Sequence, residues 1–123
     1  MKLKTLFIGL IGIALIATVA QTAASDLQLE LAARYTNQAL QYLRQGQFQQ
    51  ALPLVEKAFE IRGNKLGKTH QDTLVTQTIL AVIYQELGRS EALPLSKTAY
   101  RLSQQTLGDR HEVTLTSLNN LVM

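Results

Sequence analysis

The sequence has no cysteine. That excludes disulfides, thiolate metal sites, a cysteine nucleophile and a lipidated N-terminal cysteine, and it suits either redox compartment. Tryptophan is also absent, and there are only two prolines. No charge of one sign dominates: twelve Lys and Arg face nine Asp and Glu, for a net charge of +3. Two of the cations, Lys2 and Lys4, stand at the extreme N-terminus, so the rest of the chain is close to neutral. The remaining cations are scattered without a dense run, which gives no footprint for nucleic acid. There is no Gly-rich phosphate loop, no Gly-x-Ser-x-Gly, no paired-carboxylate pattern and no cluster of metal ligands. These absences point away from an enzyme and from any cofactor. At 123 residues the chain holds at most one domain.

The N-terminus reads as a targeting segment. Lys2 and Lys4 precede an uncharged apolar run from Leu6 to Ala20, and small residues follow. This is the three-part form of a secretory signal peptide, with cleavage after Ala24 or Ala20. The expectation is an exported protein, periplasmic or extracellular, with residues 1–24 removed. The rival form is an uncleaved signal anchor, which would be the chain's only link to a membrane. About 15 apolar residues fall short of the roughly 20 that span a bilayer.

From Asp26 onward the apolar spacing is helical. Leu31, Tyr35, Ala39 and Tyr42 form one stripe; Ala51, Leu54, Ala58 and Ile61 another; Ala92, Leu95, Ala99 and Leu102 a third; Leu115, Leu118 and Leu121 a fourth. Gly46, Gly63, Gly67, Gly88 and Gly108 lie at or past the ends of these segments. Five helices are expected, over about 26–45, 48–63, 71–87, 90–105 and 112–123. The fold class is all-α.

The chain also says the same thing twice. LGKTHQDTL at 66–74 returns as LGDRHEVTL at 107–115, and Ala51-Leu52-Pro53-Leu54 returns as Ala92-Leu93-Pro94-Leu95. Ala58 matches Ala99, and Tyr42 and Gly46 match Tyr84 and Gly88. The period is 41, and 42 for the Tyr and Gly, because GQFQQALPL in one copy is GRSEALPL in the other. The missing residue is the one that Phe48 supplies. A helix pair repeated at a period of a few tens of residues is a solenoid signature.

Gly46, Phe48 and Ala51, followed by Ala58, resemble the Gly-x-aromatic-x-x-Ala core of the tetratricopeptide repeat, with Ala39 and Tyr42 at its small and aromatic positions. The period, Leu-Gly-x-x-His and Ala-Leu-Pro-Leu look like the kinesin-light-chain-type subfamily. The resemblance spans residues 30–123 and implies a helix-turn-helix superhelix of two repeats plus the first helix of a third. It implies structural roles for Gly46, Phe48, Ala51, Ala58, Gly88, Ala92 and Ala99. It also implies a concave groove that holds a protein or peptide, lined by Thr36, Leu40 and Leu43, then Thr78, Val82 and Gln85, then Asn119 with Met123. Asn37, Ile79 and Asn120 are adjacent. The Lys and Asn set that clamps a terminal carboxylate in some members is absent. Pro after the motif His is replaced by Gln71 and Glu112.

His70 and His111 occupy equivalent places about one repeat apart, too far to share one ion. They are expected to serve the helix starts that follow them. The final helix lacks a second helix to cover Leu115, Leu118, Leu121 and Val122. This suggests either part of a longer protein, such as one with a protease-like or signalling domain, or self-association through that face. The half from residue 71 onward, without the aromatic, is expected to be the weaker one.

Overall fold

A computed structural model describes the backbone of residues 2–122 and the side chains of residues 23–122. The side chains of the leader's apolar run, and Met123, lie outside these described residues. Five helices follow in order: α1 (Lys2–Arg44), α2 (Phe48–Leu66), α3 (Gln71–Glu86), α4 (Ala92–Leu107) and α5 (Glu112–Val122). There is no strand among the described residues. Each helix packs on the next in sequence, and α3 also touches α5. The fold is therefore a stack of helix pairs, α1 with α2 and α3 with α4, with α5 opening a third.

The buried faces are built from small residues. On α1 the seam is Ala32, Thr36 and Ala39; on α2 it is Ala51, Val55 and Ala58; on α4 it is Ser96, Ala99 and Ser103. Short side chains at helical spacing let backbones approach closely, and larger residues from neighbours then interdigitate. Ala39, Ala51, Val55, Leu80 and Ile83 form the core cluster, with Phe48, Leu43 and Tyr84 partly buried against it.

The two pair-internal turns close alike at their start. The Gln47 N–H bonds the Tyr42 carbonyl at 2.9 Å, and the Arg89 N–H bonds the Tyr84 carbonyl at 2.8 Å. Gly46 and Gly88 between them have φ of 72° and 68°, in the left-handed region that this helix-ending motif requires. The turns then diverge. The Ala51 N–H reaches the Gln47 carbonyl four residues back at 3.2 Å, whereas the equivalent Ala92 N–H reaches the Arg89 carbonyl three residues back at 3.2 Å. One tightened bond absorbs the missing residue, so α4 begins at Ala92 where α2 begins at Phe48. In place of the absent aromatic, the Arg89 guanidinium lies 4.9 Å over the Tyr84 ring and pairs with Glu91 at 3.0 Å.

The middle helix, α3, buries Thr73, Leu74, Thr76, Gln77, Thr78, Leu80, Ala81 and Ile83. So many polar groups are tolerated because most find partners. Thr76 and Thr78 donate to the carbonyls of Asp72 and Leu74, each at 2.8 Å. The Arg62 guanidinium donates to Thr76 Oγ1 at 2.7 Å, and the Gln77 amide donates to the Leu95 carbonyl at 3.2 Å.

Three sequence expectations need correction. α1 begins at Lys2 rather than near Asp26 and runs through Gly9 and Gly12. α2 does not end at Gly63: it continues to Leu66, and the positive φ falls on Gly67. The first half of the α1 stripe is offset by one residue, so that Ala32 and Thr36 are buried while Leu31 is exposed, and Ala39 and Tyr42 keep their expected places against the core.

Gly63 is therefore a helix-interior glycine, and a Cβ added there meets nothing within 4 Å. The second copy has Gln104 at this place. Gly63→Ala is expected to stabilise the protein by about 0.5–1 kcal/mol, read as a higher denaturant midpoint with an unchanged slope.

Candidate protein-interaction surface

α1, α3 and α5 are the first helices of successive pairs, and the residues singled out for binding lie along them. Thr36 and Thr78 are buried. Their hydroxyls donate to the carbonyls of Ala32 and Leu74, and Thr78 also lies 3.1 Å from Ser117 Oγ, joining α3 to α5. Leu40, Leu43 and Val82 are half-buried, while Gln85, Asn119 and Asn37 are exposed. Leu43 packs against the core cluster.

Between α3 and α5 lies a cleft of about 230 Å³ lined by Gln71, Val75, Thr78, Ile79, Glu112, Val113 and Thr116. Of the expected groove residues only Thr78, with adjacent Ile79, lines it. A second cleft of about 210 Å³ is lined by Gln85, Ala92, Leu93, Ser96, Asn120 and Leu121. The structure brings α3 and α5 together in the first cleft, and no residue of α1 lines it. Gln71, Val75, Glu112 and Thr116 are members that sequence reasoning passed over. The signal was present, because Glu112 and Thr116 stand one period after Gln71 and Val75.

The surface these residues make is mild. Val75, Ile79 and Val82 are half-buried at spacings of four and three residues on α3, which gives an apolar row. Glu112 is the one charged group lining the first cleft. Such a surface can hold an apolar ridge of another chain. Among the described residues, no three His, Cys, Asp or Glu side chains come together to hold a metal ion.

The residues given structural roles are placed as follows. Ala51 and Ala58 are wholly buried, Ala99 nearly so, and Ala92 and Phe48 partly. His70 caps α3: its Nδ1 accepts the Asp72 N–H at 3.1 Å. His111 does the same for α5, accepting the Val113 N–H at 3.2 Å. Accepting at Nδ1 requires a neutral ring with its proton on Nε2. His70→Ala is expected to cost about 1 kcal/mol. His70→Asp should recover it, since a carboxylate accepts the same bond and suits the positive end of the helix dipole. Urea melts of the two variants beside the parent check this.

Compared with known families, residues 30–92 match a family model described as tetratricopeptide repeat. No curated protein matches the chain.

Proposed function

We propose a function from one premise: this chain belongs to the tetratricopeptide repeat family. Repeats of this kind serve as scaffolds for protein–protein interaction, and a protein partner fits the surface described above. We infer that the groove side of α1, α3 and α5 holds an extended peptide or a partner helix, and that the chain does no chemistry itself. The observation that carries this is the half-buried row Val75, Ile79 and Val82 beside the α3–α5 cleft. The repeat period and Leu-Gly-x-x-His support placement in the kinesin-light-chain-type subfamily. The leader with Lys2, Lys4 and the run to Ala20 supports export.

The test is affinity capture from an envelope extract with the chain and with Val82→Glu. Proteins retained by the parent and lost by the variant, which should fold as the parent does, support the reading. An identical set on both, or none on either, sinks it. N-terminal mass spectrometry of the protein from its host decides export: a terminus near Ser25 supports cleavage, and an intact Met1 in the membrane fraction means a signal anchor.

A second reading makes this the scaffold portion of a longer enzyme or signalling protein. The uncovered leucines of α5 favour it, as they also favour self-association through that helix. A reading frame that continues past Met123 into further repeats would support it; a stop codon there would end it.

A further inference from the structure

The two helix pairs carry clefts at corresponding places. In the first pair the cleft is about 390 Å³, and Tyr35 of α1 lines it with Lys57 and Ile61 of α2. The Lys57 ammonium lies 5.5 Å over the Tyr35 ring. One period on, the same positions are Gln77, Thr98 and Leu102, and they line a cleft of about 510 Å³. Two shorter side chains thus replace the phenol ring and the cation over it, and the second cleft is the larger.

Its walls come from α2 on one side and α4 on the other: Phe59 faces Pro94, Leu95 and Leu102. Phe59 and Leu95 also pack against the core cluster, so both walls are held from behind. Apolar walls with a polar group placed between them suit an apolar body with one polar end.

Gln77 is that polar group. It is 4% exposed. Its side-chain amide donates to the Leu95 carbonyl at 3.2 Å, and a carbonyl partner requires the nitrogen on that side. Its Oε1 accepts no hydrogen bond among the described residues, yet it is not shut away as the orphaned hydroxyls of Thr73, Ser103 and Thr114 are. An acceptor is therefore open in the cleft that Gln77 lines. The rim carries one charge of each sign, Lys68 and Glu91. A charged occupant would gain at one what it loses at the other, so a neutral one fits better.

We propose that this cleft takes a tyrosine side chain of a partner protein. The ring lies between Phe59 and Leu102, in the place that the first pair fills with its own Tyr35, and the hydroxyl donates to Gln77 Oε1. The site shares no residue with the α3–α5 cleft and does not depend on the groove.

The probes are two neutral peptides, acetyl-Gly-Ser-Tyr-Ser-Gly-amide and the same peptide with Phe for Tyr. Each is titrated into the isotope-labelled full chain and followed by NMR. The Tyr peptide should shift the Gln77 side-chain amide and bind about two- to tenfold tighter than the Phe peptide. Thr98→Lys, which restores the cation of the first pair, should tighten both by about two- to fivefold, a gain that misfolding cannot produce. Leu102→Asp should abolish both, and Val82→Glu should change neither. No saturable shift at Gln77, equal affinities for the two peptides, or no gain in Thr98→Lys overturns the proposal. So does loss of binding in Val82→Glu, which would place the peptides in the groove. A parent dimer that Leu102→Asp dissociates also overturns it, because a second copy then fills the cleft. The groove reading stands or falls separately, on the capture experiment above.

Discussion

Ile83→Ala is expected to lower the unfolding free energy by about 2–5 kcal/mol, the largest effect of any single truncation considered. Ile83 is wholly enclosed in the core cluster with Ala39, Ala51, Val55 and Leu80. Those neighbours are mostly small and held by helix backbones, so they cannot collapse into the space left. The cost then includes the cavity as well as the lost transfer energy. A domain of this size commonly has about 5–15 kcal/mol in all, and 1 kcal/mol moves a melting temperature by roughly 4–8 °C. Circular dichroism melts should therefore drop by at least about 10 °C. A drop under about 4 °C would mean that α2 and α3 do not share the core described.

Phe48→Ala should cost about 2–3 kcal/mol, less than the 3–5 of a fully enclosed phenylalanine, because Phe48 is only partly buried. It opens α2 and packs on the core cluster from the turn. The second copy manages without such a residue, and the stacked pair of Arg89 and Tyr84 takes its place. Such a contact contributes about 0.5–1 kcal/mol at exposed sites, so it replaces Phe48 only in part. Inserting Tyr between Arg89 and Ser90 would restore an aromatic to the turn but would break the Ala92-to-Arg89 bond and separate Arg89 from Glu91. Its gain should be small. Melts of Phe48→Ala and the insertion, read together, check the repeat register: if Phe48→Ala melts like the parent, the alignment of the two copies fails.

Much of this was legible because glycine and alanine carry strong local constraints. Gly46, Gly88, Gly67 and Gly108 mark turns since few other residues take positive φ. Gly63 misled, because a glycine permits a turn without demanding one. Ala51, Ala58 and Ala99 could be read as contact points from spacing alone. The interior of α3 could not. Thr76, Gln77 and Thr78 look like an exposed polar face, and their burial depends on partners elsewhere: Arg62, the Leu95 carbonyl and Ser117. Carried over residue by residue from the family, the groove puts Thr78 on open surface and leaves out Val75 and Thr116, although the period pairs them. The His caps were partly legible: their place before α3 and α5 was clear, but the use of Nδ1 as acceptor was not.

The packing order described for the five helices has a kinetic consequence. The main helix contacts join sequence neighbours, with α3 and α5 the one substantial exception among the described residues, so few contacts need a long loop closed first. Chains of this kind fold fast, on microsecond to millisecond scales, and open from their ends rather than all at once. α3, which packs against α2, α4 and α5, should hold its amide hydrogens longest in deuterated solvent, and α5 should lose them first. A partner on α5 would then slow exchange there before it altered any melting temperature.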